Sequence, residues 1–184
     1  RYPLLGFIVA LAVTWFLTPL VRKLAFAKGA VDDPKRDDRR IHTEPLPRWG
    51  GIAIYLGIVA SLCAVLPFAY PMHTFPLYLI GMLLVGGVLV AVGALDDLFQ
   101  YSAKVQLLLL LGAGISIQFL YDNVGGIQMG SLGIPLGDGK YLALGLAAIP
   151  LTAIYIFIIT KTMDTIDGVD GLAAGIATIS ASTL

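Results

Sequence analysis

An uncharged run of twenty residues ends on two adjacent aspartates in the stretch 76–97, PLYLIGMLLVGGVLVAVGALDD. A helix needs about 20 apolar residues to cross the roughly 30 Å hydrocarbon core of a bilayer. The run is also apolar on all sides, whereas a helix on the surface of a soluble protein has one apolar stripe. These features predict a transmembrane helix with Asp96 and Asp97 at one end.

Four other stretches share this character, which disfavours a soluble helical bundle. The whole chain is 58% hydrophobic and only 13% charged, about half the charged fraction typical of a soluble domain. A sixth apolar segment begins near Gly171 and stops at Leu184. We expect an all-α polytopic membrane protein, with residues 1–184 in one transmembrane domain. It has the start of a sixth helix and five full transmembrane helices, at residues 3–21, 50–68, 76–95, 105–121 and 142–160.

The Lys and Arg residues predict the orientation, because cytoplasmic loops of membrane proteins carry an excess of them. Residues 22–49 hold eight of the twelve, and Lys104 and Lys161 fall on the same side by alternation. Only Arg1 and Lys140 fall on the other side. We therefore expect residues 22–49 on the cytoplasmic side and the N-terminus outside.

Alternation of the spans then assigns the remaining loops. Loops 96–104 and 161–170 are expected inside, and loops 69–75 and 122–141 outside. The outer loop 122–141 is rich in glycine and alternates loosely between apolar and polar residues, which predicts a small β-hairpin.

Asp96 and Asp97 lie where acids are unfavourable. They end a helix that runs from outside to inside, at the negative pole of its dipole, where a carboxylate costs up to about 1 kcal/mol. A solvated turn is one interpretation of the pair. A general base or a divalent-metal site at the membrane surface is the other. Lys104, which opens the next span, is either a snorkelling anchor or a phosphate-binding cation.

Three further aspartates, Asp164, Asp167 and Asp170, recur at intervals of three, which places them near one face of a helical turn. Asp170 could simply cap the sixth helix. Capping does not explain Asp164 and Asp167 as well. Since Mg²⁺ binds few protein carboxylates and keeps positions for phosphate oxygens, the cluster is a candidate metal and phosphate site.

The segment 39–51, RRIHTEPLPRWGG, supplies the bases. Its cations could set topology or touch anionic lipid head groups. Arg48 differs because it lies directly at the membrane, next to Trp49, which is interpreted as an interfacial anchor. His42 is a candidate proton carrier or hydrogen-bond donor to phosphate. We expect Arg48, the Asp96 turn and the loop 161–170 to converge at head-group depth, around a phosphate-rich donor and a lipid phosphate.

Taken in order, three segments resemble the polyprenyl-phosphate N-acetylhexosamine-1-phosphate transferase family. The undecaprenyl-phosphate GlcNAc-1-phosphate transferases are the nearer branch, and phospho-MurNAc-pentapeptide transferase is a more distant one. The segments are RRIHTEPLPRWGG from Arg39, GALDDL from Gly93 with Lys104 downstream, and DGVDGLAAG from Asp167. The sequence PLPR before the glycine pair is similar to the GlcNAc-type branch.

The resemblance implies transfer of an N-acetylhexosamine-1-phosphate, GlcNAc-1-phosphate in the first instance, from a UDP-sugar to polyprenyl phosphate with release of UMP. This is the first membrane step of cell-envelope glycan synthesis, at the cytoplasmic face of the plasma membrane. The implied cofactor is Mg²⁺, with Mn²⁺ as an alternative. A homodimer is compatible with it, and the net charge of zero points to no nucleic-acid partner.

The resemblance also implies roles for particular residues. Asp96 and Asp97 would act on the lipid phosphate. Asp97 and Asp164 would hold the metal. The residues expected to bind the substrates are His42, Arg48, Lys104, Asp167 and Asp170. Two positions depart from the family, because Lys161 and Asp164 stand where Asn is usual.

Members of that family continue with further spans, a metal-binding Asp and a loop with His and Arg. We therefore expect this chain to be the N-terminal part of a longer transferase and to be inactive alone. An ion-coupled transporter is the alternative, but transporters place acids near the bilayer midplane, and here the interiors of the predicted spans hold no Asp or Glu. A non-catalytic assembly subunit also stays open.

Overall fold

A computed structural model describes residues 2–32, 45–69, 77–119, 127–133, 141–167 and 171–183. These residues form six α-helices and four short strands. The helices are α1 (Tyr2–Lys28), α2 (Gly50–Ala69), α3 (Leu77–Phe99), α4 (Ala103–Ser116), α5 (Ala148–Ile166) and α6 (Leu172–Thr183). The strands are β1 (Val31–Asp32), β2 (Leu46–Pro47), β3 (Ser131–Gly133) and β4 (Tyr141–Ala143).

The chain divides into two compact units. The first unit comprises Arg1–Ser102 with Asp122–Gly125, and the second comprises Ala103–Tyr121 with Gly126–Leu184. The first unit therefore carries α1, α2, α3 and the β1–β2 pair. The second carries α4, α5, α6 and the β3–β4 pair.

The helices identify a membrane protein. Within the described ranges, four helical segments are long and apolar enough to cross a bilayer: Tyr2–Lys28, Gly50–Ala69, Tyr78–Phe99 and Gly145–Ile166. Large side chains such as Trp15 and Phe16 are about three-quarters exposed, as expected for helices surrounded by lipid. The segments Ala103–Phe119 and Leu172–Thr183 are apolar but shorter. The mostly helical membrane fold is confirmed, and the exact number of spans stays a prediction.

The first helix is longer than predicted. It runs past residue 21 to Lys28, so Arg22, Lys23 and Lys28 belong to a helix of 27 residues, about 40 Å long. Residues 20–28 contain neither Gly nor Pro. The helix ends at Gly29, whose φ of +76° suits a residue without Cβ, and Ala30 N–H donates to the Ala25 carbonyl at 2.9 Å.

The fifth predicted span is displaced. Residues 142 and 143 belong to β4 rather than to a helix, and α5 begins only at Ala148. It then continues beyond residue 160 to Ile166, because no helix breaker occurs before Gly168. An apolar run alone does not distinguish a short strand from a helix.

In the first unit, α1 and α2 pack through small residues. The Ser61 hydroxyl donates to the Gly6 carbonyl at 2.8 Å. A Cβ added to Gly57 would overlap Thr14 Oγ1 and lie 3.0 Å from the Ala10 carbonyl oxygen. In lipid, helices associate through such close packing and interhelical hydrogen bonds, since apolar surface gains nothing by leaving a lipid solvent.

In the second unit, α4 and α5 are joined in the same way. A Cβ at Gly114 would lie 3.1 Å from Ala153 Cα. The buried side chain of Gln118, in a short 3-10 helix after α4, donates to the carbonyls of Gly114 and Ile149. These contacts fix the depth of α4 against α5.

The predicted hairpin in the loop 122–141 is confirmed as a small antiparallel pair. Leu132 pairs with Leu142, and Leu144 N–H donates to the Gly130 carbonyl at 3.1 Å. The hairpin is tied to α5, because Met129 N–H donates to the hydroxyl of the buried Thr152.

Candidate active site

A two-stranded ribbon, not predicted from the sequence, organises the basic segment. Val31 pairs with Pro47 and Asp32 with Leu46. Arg48 N–H extends the ladder by donating to the Ala30 carbonyl at 3.0 Å. Two-residue strands are too short to show a period-2 pattern, so the sequence carried no signal for them. The ribbon places Asp32 beside Arg48.

Arg48 lies between two carboxylates. Its Nη2 donates to Asp32 Oδ1 at 2.8 Å, and its Nη1 is 3.9 Å from Asp97 Oδ1. The side chain of Arg48 is 32% exposed, and those of both aspartates are 26% exposed. The structure therefore brings together two residues predicted for the site, Arg48 and Asp97. It adds Asp32, which the sequence motifs do not single out.

Trp49 also has a contact that the sequence did not indicate. Its indole Nε1–H donates to the Ala94 carbonyl on α3 at 3.0 Å, and the ring is half-buried. An interfacial Trp would need no such partner. The bond joins the start of α2 to α3 shortly before Asp96 and Asp97.

The predicted turn 96–104 is wrong at its start, because α3 continues through both aspartates to Phe99. The helix ends before Gln100, whose φ is +52°. Gln100 N–H donates to the Asp96 carbonyl at 2.7 Å, and Tyr101 N–H donates to Asp96 Oδ1 at 2.6 Å. The Asp96 side chain thus closes the end of α3, which explains an acid at the negative pole of the dipole.

Three of the predicted site residues that the structure describes, Lys104, Asp164 and Asp167, lie in the second unit. Lys104 is exposed in the first turn of α4, which begins at Ala103, two residues before the predicted span. Asp164, predicted in a loop, lies within α5, one turn after Lys161. Asp167 is exposed and caps α5, with its N–H donating to the Met163 carbonyl at 3.1 Å. His42 and Asp170 lie outside the described residues.

The side chain of Lys161 on α5 contacts both an acid on the same helix and a side chain on α4. Its Nζ donates to Asp164 Oδ2 at 2.6 Å and to Gln106 Oε1 on α4 at 3.2 Å. The side chains of Lys161 and Asp164 are 43% and 65% exposed. The same face of α5 borders a shallow groove of about 360 Å³, lined by Phe157, Ile158, Lys161, Thr162, Thr165 and Ile166. How these residues lie relative to Arg48 and Asp97 stays a prediction.

The carboxylate side chains predicted for the site are of the type that binds Mg²⁺. Among the described residues, no three His, Cys, Asp or Glu side chains form a group that could hold a metal ion. Mg²⁺ does not need such a cage, because it binds one or two carboxylates and completes its shell with water and phosphate oxygens. Asp97 and Asp164, the metal-binding residues that the resemblance implies, each carry a carboxylate of this kind.

Comparison with known proteins gives the family. Residues 79–184 match the family model named Glycosyl transferase family 4. The chain belongs to this family, which confirms the resemblance seen in its motifs. No solved structure matches the chain significantly.

Curated relatives agree along the length of the chain. It is 37% identical over 180 residues to the probable undecaprenyl-phosphate N-acetylglucosaminyl 1-phosphate transferase of Bacillus subtilis (strain 168), with 97% of this chain and 46% of the relative covered. It is 30% identical over 183 residues to the decaprenyl-phosphate N-acetylglucosaminephosphotransferase of Mycolicibacterium smegmatis, with 95% and 42% covered. It is 31% identical over 172 residues to the undecaprenyl-phosphate alpha-N-acetylglucosaminyl 1-phosphate transferase of Escherichia coli (strain K12), with 94% and 43% covered. The chain thus spans somewhat less than half the length of these relatives.

Proposed function

We propose that the full-length protein transfers N-acetylhexosamine-1-phosphate, in the first instance GlcNAc-1-phosphate, from a UDP-sugar to polyprenyl phosphate and releases UMP. Family membership and the names of the relatives support the reaction class. The structural observation that carries it is Arg48 beside Asp97 at the end of an apolar helix. A phosphate-binding cation and a carboxylate at that place suit a reaction between a lipid phosphate and a soluble diphosphate.

The proposal includes the topology. The N-terminus lies outside, and the ends of α1, α3 and α5 that carry Lys28, Asp97 and Asp164 lie at the cytoplasmic face of the plasma membrane. The excess of Lys and Arg in residues 22–49 supports this orientation. Alternation requires Ala103–Phe119 to cross as well, near the lower limit of about 17 residues for a spanning helix. The proposed topology therefore has five spans and the start of a sixth.

The chemistry is an exchange of phosphorus–oxygen bonds. An oxygen of the polyprenyl phosphate attacks the β-phosphorus of the UDP-sugar, and the bond from that phosphorus to the oxygen it shares with the α-phosphorus breaks. UMP leaves with that oxygen. The other product is a lipid diphosphate that carries the sugar.

The chain's own residues would contribute positioning and charge. The Arg48 guanidinium presents several N–H donors in a plane that matches phosphate oxygens. Asp97 orients the lipid phosphate or accepts its remaining proton, and Lys104 steadies phosphate oxygens. Mg²⁺ or Mn²⁺, held by Asp97 and Asp164, would neutralise charge on the diphosphate. Asp167, with His42 and Asp170, would bind the nucleotide sugar.

The test of this function uses the purified full-length protein in detergent with UDP-GlcNAc, undecaprenyl phosphate and Mg²⁺. We expect UMP and lipid-linked sugar in equal amounts, and we expect Asp97→Asn to lower turnover at least 100-fold, because it removes a charged group that touches the reacting phosphate. The yield of Asp97→Asn in the membrane fraction should equal that of the wild type. Unchanged turnover in this variant would contradict the proposal.

A further inference from the structure

The backbone of Arg48 is fixed from one side by the ribbon. Val31 pairs with Pro47, and Arg48 N–H donates to the Ala30 carbonyl just before β1. Ala30 is fully buried and follows the Gly29 end of α1. The position of the Arg48 backbone is therefore fixed relative to the end of α1.

The backbone next to Arg48 is fixed from the other side by Trp49. Its indole N–H donates to the Ala94 carbonyl, less than one helical turn before Asp97. This bond sets the distance between the end of β2 and the end of α3. It thereby sets how far the base of the Arg48 side chain lies from the carboxylate of Asp97.

The guanidinium itself is oriented by Asp32. One of its terminal nitrogens donates to Asp32 at 2.8 Å, and the other lies 3.9 Å from Asp97, beyond a direct hydrogen bond. An arginine side chain has many rotamers, and the ion pair with Asp32 selects those that face Asp97. The long second distance leaves that nitrogen able to donate to an incoming oxygen while it remains in the field of Asp97.

We propose that Asp32 and Trp49 are positioning residues, which together hold the Arg48 guanidinium beside Asp97 before a phosphate arrives. Neither needs to touch substrate. A cation that is already oriented does not lose its rotamer freedom when the phosphate binds, so the preorganisation favours binding and reaction. The role in turnover rests on the proposed function. The effect of these two residues on the exposure of Arg48 does not depend on the proposed function.

The first test is a double-mutant cycle on transfer by the full-length protein. Asp32→Ala should lower kcat/KM for at least one of the two substrates about tenfold, and Trp49→Phe, which keeps the ring but loses the N–H, about threefold. In an Arg48→Ala background both changes should cost less than twofold, because they act through Arg48. Equal losses with and without Arg48, or no loss at all, would overturn the proposal.

Trp15→Phe is the matched control. Trp15 is 76% exposed on α1 and borders a shallow surface groove with Thr18 and Pro19. We expect wild-type kcat/KM from it. An effect as large as that of Trp49→Phe would show that the loss follows from any Trp substitution, and this too would contradict the positioning role of Trp49.

The second test needs no activity. Phenylglyoxal modifies accessible guanidinium groups, and mass spectrometry of the Arg48 peptide gives the rate at this one residue. Asp32→Ala and Trp49→Phe should each raise the rate at least twofold, whereas Trp15→Phe should leave it unchanged. Wild-type rates in both positioning variants would overturn the inference. If the wild type transferred no sugar phosphate, the proposed function would fail, and the labelling rates alone would decide the inference.

Discussion

Asp96 and Asp97 are neighbours in the sequence, but their side chains make different contacts. Asp96 Oδ1 accepts the Tyr101 N–H at 2.6 Å and closes the end of α3. Asp97 Oδ1 faces Arg48. A pair that the motif presents as equivalent is therefore divided into a residue that shapes the turn and a residue that faces a phosphate-binding cation.

This division predicts different results for the two aspartates. Asp96→Asn keeps an oxygen that can accept the Tyr101 N–H, so we expect it to retain more than a tenth of wild-type turnover. Asp96→Ala loses the acceptor and should lower the free energy of unfolding by about 1 kcal/mol. Transfer assays and denaturant titrations of the full-length protein measure both. Loss of turnover in Asp96→Asn as complete as in Asp97→Asn would instead give Asp96 a direct role on substrate.

The Lys161–Asp164 pair allows a test of the metal role proposed for Asp164. If Asp164 binds Mg²⁺, Asp164→Asn should raise the Mg²⁺ concentration for half-maximal transfer several-fold, because a carboxylate binds Mg²⁺ better than an amide. Lys161→Asn is the control, because it removes the cation that is 2.6 Å from the same carboxylate. It should leave that concentration unchanged or lower it. An equal rise in both variants would exclude a specific role of Asp164 in metal binding.

At the scale of elements, the long apolar runs predicted the helices and the glycine-rich loop predicted the β3–β4 pair, but no pattern predicted the β1–β2 ribbon. The runs at 3–21, 50–68 and 76–95 became α1, α2 and α3 because a helix satisfies its backbone hydrogen bonds within one segment, as lipid requires. The helix ends were missed because each helix continues past the first charged residue, α1 to Lys28, α3 to Phe99 and α5 to Ile166. The ribbon of β1 and β2 was missed because its pairing joins segments that are distant in sequence.

The packing of α1 on α2 gives a prediction at the same scale. Gly57→Ala should lower the free energy of unfolding by about 1–3 kcal/mol, because its Cβ would overlap Thr14 Oγ1 and approach the Ala10 backbone. Unfolding in mixed detergent micelles measures the change. Gly112→Ala, in α4 with nothing within 4 Å, is the control and should be neutral or stabilising. Equal effects of the two substitutions would contradict the close approach of α1 and α2.

At the scale of the whole molecule, the sequence motifs identified the family, and the structure identified local partners. The chemistry of the residues, together with the family resemblance, predicted Arg48, Asp97 and Asp164 as site residues. It could not predict Asp32 or the Trp49 indole bond, because both depend on a fold of segments apart in sequence. Convergence of Asp97 with Asp164 and Asp167 stays a prediction, because these residues belong to different units.

The most direct test of the proposed reaction follows one labelled phosphate of the sugar donor through transfer by the full-length protein. With UDP-GlcNAc labelled with ³²P in the β-phosphate, transfer of a sugar phosphate moves the label into the lipid and leaves UMP unlabelled. The account predicts this outcome, with Mg²⁺ required. Label that stays in UDP while sugar reaches the lipid, or no lipid product under any tested divalent cation, would contradict it.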